Sequence, residues 1–323
     1  MEFLRYLESI RTPLGENIFY FLTNFGEEII IMGLVGIIFW CVDKKIAYRM
    51  TFAYLLTVFA INMIKITCRI ERPWIRDPEF TAVERAKKSA TGYSFPSGHT
   101  QGAVSIYGTL AYRIRRLWAQ IILFVLIGLV MFSRLYLGVH TPEDVLVSCV
   151  ISAVIVIGIN IFADKTEFTS KRRLMVILGI VVLAIIYITY SAFLMNSGRI
   201  LYSNVSDGSK GIGAGLAFAL GWYIEPKYID FNTKCKNIWM QILKAIIGVG
   251  GVFLIRSGIK ALFDANMVID MIRYFLMISW VFLAMPLIIK RFFEVRPDVK
   301  PATERAEKVM EKKPDEEDNT MLH

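Results

Sequence analysis

Of the three histidines in this 323-residue chain, His323 is the last residue, and the other two stand where apolar segments begin. His99 closes the run Tyr93-Ser94-Phe95-Pro96-Ser97-Gly98-His99, directly ahead of an uncharged stretch. A proline at a helix start wastes no donor, and the backbone N–H groups of Ser97, Gly98 and His99 are expected to point outward without intrahelical partners. Such a terminus binds anions, phosphate above all. The Ser97 hydroxyl adds a donor, and Gly98 admits close approach of the backbone. His140 lies in Ser133-Arg134-Leu135-Tyr136-Leu137-Gly138-Val139-His140-Thr141-Pro142-Glu143-Asp144. Thr141, Pro142 and Asp144 read as a capping box, which brings the Asp144 carboxylate within reach of the His140 ring. A carboxylate on one imidazole nitrogen sets the tautomer and leaves the other nitrogen free as a nucleophile.

A third segment, Lys65-Ile-Thr-Cys-Arg-Ile-Glu-Arg72-Pro73, ends an apolar run. Seven residues are about two helical turns, so Lys65 and Arg72 face one point if the helix continues. With Arg134 they make three cations for one anion, Arg supplying a planar fork and Lys a point charge. Snorkelling at a membrane interface would account for Lys65 alone but not for all three. An ordinary Pro/Ser helix start, or an ordinary cap, would likewise account for either histidine segment taken singly.

Taken together, the three segments resemble the signature of the type 2 phosphatidic acid phosphatase superfamily: Lys-x6-Arg-Pro, then Pro-Ser-Gly-His, then Ser-Arg-x5-His-x3-Asp. Lys65, Arg72 and Pro73 fill the first part, Pro96, Ser97, Gly98 and His99 the second, and Ser133, Arg134, His140 and Asp144 the third. Eleven filled positions in order are far more specific than one short motif. The resemblance covers about residues 50–160 and implies a metal-independent, cofactor-free phosphatase working through a phosphohistidine. By that likeness His140 attacks phosphorus, Asp144 orients it, and His99 protonates the leaving alkoxide and then activates water. Lys65, Arg72, Ser97, Gly98, Ser133 and Arg134 would hold the phosphoryl oxygens. Such chemistry needs little beyond positioning and charge stabilisation.

The elements that must carry these residues belong in a membrane. The chain is 55% hydrophobic with a mean hydropathy of +0.50, which excludes disorder, collagen-like structure and a disulfide scaffold. Four scattered cysteines, Cys41, Cys68, Cys149 and Cys235, read as small packing residues. Uncharged stretches fall at 29–42, 50–64, 97–112, 117–133, 145–163, 174–198, 211–224, 245–255 and 274–289. The expected fold is therefore an all-α polytopic membrane helix bundle of about nine spans: a six-helix phosphatase core with extra C-terminal helices. Alternate loops carry basic clusters: Lys44, Lys45 and Arg49; Arg113, Arg115 and Arg116; Lys165, Lys171, Arg172 and Arg173; Lys227, Lys234 and Lys236; Lys290 and Arg291. Cytoplasmic loops carry such excess, so the carboxyl terminus is expected in the cytoplasm of a bacterial cell and the histidines on the extracytoplasmic face. One opposite loop breaks the rule, with Arg69, Arg72, Arg76, Arg85, Lys87 and Lys88.

Residues 1–27 read as an amphipathic or partial-span segment without a signal-peptide layout, so the first helix is expected to be retained. Residues 28–165 are expected to form the phosphatase core, 166–293 the additional helices, and 294–323 a charged cytoplasmic tail with a helix at 302–312. The net charge of +9 becomes +12 without that tail, whose nine acidic residues outnumber six basic ones. The basic residues lie between apolar runs rather than in an aromatic-interleaved stripe, so no nucleic-acid partner is expected. Gly208, Gly211, Gly213, Gly215 and Gly221 lack the Lys-Ser/Thr of a nucleotide loop; Gly211 and Gly215 are expected to let two helices pack closely. The longer layout is similar to the sphingosine-phosphate phosphatase branch. The expected partners are membrane lipids and a lipid phosphate: phosphatidate, phosphatidylglycerophosphate, a sphingoid-base phosphate or an undecaprenyl phosphate. A phosphotransferase sharing the phosphohistidine, or a non-catalytic lipid-phosphate binding or transport protein, are the alternatives.

Overall fold

The computed structural model describes residues 1–235 and 237–294; the tail, its expected helix, His323 and Lys236 lie outside them. The described chain is helical, in the order α1 (Glu2–Ser9), α2 (Pro13–Thr23), α3 (Glu28–Cys41), α4 (Lys44–Cys68), α5 (Pro73–Arg76), α6 (Glu84–Lys87), α7 (Gly98–Arg113), α8 (Leu117–Tyr136), α9 (Pro142–Lys165), α10 (Ser170–Asn196), α11 (Tyr202–Ile224), α12 (Ile238–Leu262), α13 (Met267–Ser279) and α14 (Met285–Phe292). Each of the nine uncharged stretches overlaps a helix. By length and composition six helical segments among the described residues suffice to cross a membrane, and seven if α2 and α3, bent by 51° at their break, are one span. The 16-residue α7 is short, and α11 carries Asp207 and Lys210.

Boundaries follow local chemistry. Asp43 caps α4 by accepting from the N–H groups of Lys45 and Ile46, and Thr12, Ser97, Thr141, Thr169 and Asn237 cap α2, α7, α9, α10 and α12. α8 ends in a Schellman turn: Val139 N–H donates to the Arg134 carbonyl, Gly138 N–H to Leu135, and Gly138 takes φ +74°. That turn aims the chain at His140. On α9, Leu146, Val150, Val154, Ile157 and Ile161 are exposed at steps of three and four residues, an apolar stripe suited to lipid.

Successive long helices run up and down. Lys44, Arg113 and Asp164 mark one end, where Arg49 and Arg113 both pair with Asp164 and Lys44 pairs with Glu225. Lys65, His99, Arg134 and Asp144 mark the other. Five long helices lie within 28–165, and α2 from the N-terminal segment completes six by packing Phe19 on Phe132 and Tyr136 of α8. Residues 69–96 form a small packed layer at the site end. Phe80, Ala82, Val83 and Ala86 pack there with Leu4 of α1 and with Leu137 and Val139.

α11 packs against α4, α10 and α13. The closest approach to another backbone is at Gly213, where an added Cβ would overlap the Met271 carbonyl of α13. Gly211 meets Val58 of α4, whereas a Cβ at Gly215 would make only ordinary contact with Ile180 at 3.8 Å. The close packing expected of Gly211 and Gly215 thus belongs to Gly211 and Gly213. Backbone cannot swing aside, so Gly213→Val is expected to cost about 1–3 kcal/mol by overpacking. It should lower the detergent Tm by several degrees while Gly215→Val leaves it nearly unchanged; thermal unfolding followed by circular dichroism checks this.

Candidate active site

Three buried cations meet at the site end. Lys65 occupies the last turn of α4, and its Nζ donates to the Tyr93 carbonyl at 2.9 Å. The helix does not continue to Arg72: it ends at Cys68, with Arg69 left-handed at φ 53°. Arg72 instead reaches the site from an extended segment, and carbonyls hold its fork. Nε donates to Gly92 (3.0 Å), Nη2 to Thr91 (2.6 Å) and Nη1 to Val139 (3.1 Å). Arg134 is wholly buried at the end of α8; Nη1 donates to Thr23 Oγ1 at 2.7 Å. Its Nε and Nη2 have no partner among the described residues. Buried guanidinium donors without acceptors are costly, and an anion beside them would remove that cost.

His140 lies between Arg72 and Asp144. Arg72 Nη1 approaches His140 Nε2 at 2.9 Å, and Nδ1 lies 3.3 Å from Asp144 Oδ2. A guanidinium only donates, so Nε2 is the acceptor and the proton belongs on Nδ1, directed at Asp144. Asp144 Oδ2 also accepts from Ser94 Oγ (2.5 Å) and Thr141 N–H (2.8 Å), completing the capping box. Burial first, then the positive charges of Arg72, Arg134 and Lys65, push His140 well below the usual histidine value. The ring is thus neutral at neutral pH with its Nε2 lone pair toward the cations. His99 Nε2 lies 3.0 Å from Glu27 Oε1.

The Ser97, Gly98 and Ser133 contacts refine the sequence expectation. Ser97 N–H is not free: it donates to the Asp144 carbonyl at 3.0 Å, because Ser97 is the cap residue rather than the first turn. The Ser97 hydroxyl accepts from Thr100 Oγ1 at 3.1 Å, and Ser133 Oγ donates to Val130 O within its own helix. Both tie the frame together. Gly98 stands at the first helical position with open space where a Cβ would lie.

The site opens into a cavity of about 710 Å³. His99, His140, Lys65, Arg72, Arg134 and Gly98 line one part of it, and Asp207 and Lys210 of α11 and Tyr274 of α13 line the other. Thr91 links the two halves: its carbonyl takes Arg72, and its hydroxyl donates to Asp207 Oδ2 at 2.9 Å. Lys210 pairs with Asp207 at 2.8 Å, and Glu28 accepts from Tyr274. Among the described residues, no three His, Cys, Asp or Glu side chains are grouped to hold a metal ion. The donor set beside the histidines is cationic and suits a multiply charged anion. Ser94, Thr23 and Glu27 were not singled out by the sequence, since no spacing ties them to the histidines.

Arg134→Met would keep the volume of the side chain and remove its donors. It is expected to weaken binding of inorganic phosphate or orthovanadate about 10–100-fold, the worth of one or two charge-assisted hydrogen bonds. Isothermal titration calorimetry on the detergent-solubilised protein checks this without reference to turnover.

Residues 47–168 match the PAP2 superfamily, and residues 209–296 match the "PAP2 superfamily phosphatase, transmembrane extension". Among curated relatives, the chain is 28% identical over 148 residues to phosphatidylglycerophosphatase B of Bacillus subtilis, covering 42% of this chain and 70% of that one. It is 25% identical over 146 residues to human sphingosine-1-phosphate phosphatase 2, covering 43% of this chain and 36% of the relative. It is 36% identical over 85 residues to undecaprenyl-diphosphatase BcrC of B. subtilis, covering 26% of this chain and 40% of the relative. The match thus spans well under half the length of the last two. Among solved structures it is similar to LpxE of Aquifex aeolicus, with a TM-score of 0.43 and 25% identity over 49% of this chain and 93% of that one.

Proposed function

The chain belongs to the PAP2 superfamily, and we propose that it is an integral-membrane, metal-independent phosphatase that hydrolyses a lipid phosphate, monoester or diphosphate, through a phosphohistidine on His140. The observation that carries this reading is the His140 ring held with Nδ1 on Asp144 and Nε2 facing Arg72, beside two Arg134 nitrogens without partners among the described residues. When phosphate enters, Arg72 Nη1 can exchange the His140 lone pair for a phosphoryl oxygen, which frees Nε2 for in-line attack. The Nε2–P bond forms as the P–O bond to the lipid breaks. His99 gives its proton to the departing alkoxide, so an alcohol leaves. Water then attacks phosphorus, His99 takes a proton from it, and the N–P bond breaks to release inorganic phosphate. Lys65, Arg72 and Arg134 hold the charge that spreads over the phosphoryl oxygens. Ser97, Gly98 and Ser133 complete the phosphoryl pocket in this reading, Gly98 through its N–H and the two serines as its frame.

Lipid as substrate is supported by the setting: the cavity runs from the cationic end along α4 past Val58 and Leu55 to Thr51, and is walled partly by α11 and α13, which overlap the transmembrane extension. The basic clusters lie at the opposite end, so the catalytic end is assigned to the extracytoplasmic face. The relatives' names cover phosphatidylglycerophosphate, sphingosine-1-phosphate and undecaprenyl diphosphate, and these define the panel to test. With purified protein in detergent, phosphate release is expected to survive EDTA and to fall to background in His140→Ala. His99→Ala should lose about 10²–10⁴-fold on alkyl phosphates, as loss of a general acid–base does. Full activity in both variants would end this reading, and dependence on an added divalent ion would end its metal-independent form.

A further inference from the structure

The N-terminal bend does more than cover the site. α2 and α3 meet at 51°, and Glu27 stands in the break, directed at His99. Gly26 makes the approach possible: a Cβ there would come within 2.9 Å of the His99 carbonyl and 3.0 Å of Val130 Cγ1. Tyr107 of α7 donates to the Phe25 carbonyl at 2.9 Å, and Thr23 accepts from Arg134. Thr23, Phe25, Gly26 and Glu27 are therefore docked on α7 and α8 beside the histidines. Glu27 precedes the stretch that matches the superfamily, residues 47–168.

We propose that Glu27 is a positioning residue for His99: its carboxylate holds the Nε2 edge of the ring, leaving Nδ1 to exchange protons with the leaving oxygen and then with water. A general acid that donates from Nδ1 while Nε2–H stays bonded must be an imidazolium. Burial first, then Arg134 and Arg72, push His99 down to about 4 in the free protein; the Glu27 carboxylate 3.0 Å away opposes them, and a bound phosphate dianion would add to its effect. The site then holds two histidine–carboxylate pairs of opposite hand. Asp144 holds Nδ1 of a neutral nucleophile, and Glu27 is placed to hold Nε2 of the acid once substrate phosphate has brought His99 to its cationic form. The charged and titratable neighbours of His99 include Glu27, Arg134, Arg72 and His140.

This inference rests on the histidine mechanism proposed above. Its test compares kcat/KM, which reports the phosphorylation step alone, for an alkyl phosphate and for p-nitrophenyl phosphate, whose leaving group needs no proton. Glu27→Gln keeps shape and one hydrogen bond but loses the charge. It is expected to lower kcat/KM about 10²-fold on the alkyl phosphate and less than about threefold on p-nitrophenyl phosphate. The alkaline limb of the alkyl profile should move to lower pH, because the imidazolium is lost sooner, and Glu27→Asp should recover part of the rate. In a His99→Ala background, Glu27→Gln should have no further effect. Equal loss on both substrates, an unmoved alkaline limb, or additive losses in the double variant would overturn the role of Glu27. Run beside these, His140→Ala separates the two readings: if it stays active, the phosphohistidine mechanism fails; if it is dead while Glu27→Gln is fully active, only the present inference fails.

Discussion

Three positive charges are buried within reach of one another, and the remainder of the site is arranged around that cost. Lys65, Arg72 and Arg134 are each at most 5% exposed. Isolated charges so placed would be strongly destabilising unless paired or hydrogen-bonded. The chain meets part of the requirement with neutral oxygens: the carbonyls of Thr91, Gly92, Tyr93 and Val139 and the hydroxyl of Thr23. Those acceptors dictate the path of the loop that carries them, including the run into Ser94. Carbonyls orient the cations without neutralising them, so the attraction for a multiply charged anion is preserved.

The same constraint accounts for the loop that offends the positive-inside rule. Arg72 is inside the site. Arg85 and Lys88 line the cavity, Arg85 stacks over Tyr20 at 4.5 Å, and Lys87 lies over Trp74 and pairs with Glu84. The charge at this end thus serves anion attraction and the packing of that layer, and it need not report orientation. Electrostatic focusing by a cationic cleft with low-dielectric walls would raise the local concentration of a phosphate headgroup.

Much of this was legible in the residues. Helix ends are where short-range chemistry is strongest, and the three motifs sit at helix ends: the Thr141–Asp144 box and the approach of Asp144 to His140 follow from spacing alone. What the spacing misplaced was tertiary. Arg72 reaches Lys65 through a left-handed turn at Arg69 rather than along a continued helix. Ser97 caps its helix, so its N–H is taken by Asp144 O from another element. Glu27 and Thr23 were invisible because their role depends on a bend docking against α7 and α8, which no local pattern encodes. Span counting met a similar limit: α7 and α11 gain their place from packing around polar site residues, so neither carries the length and apolarity of a free-standing span.

The central claim is that His140 Nε2 becomes covalently phosphorylated. The most direct measurement is to mix the His99→Ala protein with p-nitrophenyl phosphate, quench under alkaline conditions that preserve a phosphoramidate, and map the added mass by peptide sequencing. Removing His99 is expected to slow the attack of water while the good leaving group still departs, so the intermediate should accumulate. The account predicts one phosphoryl group per chain, on His140, stable to alkali and lost in acid. A burst of p-nitrophenol with the phosphoryl group on any other residue, or turnover with no phosphoenzyme in either this variant or the wild type, would contradict it.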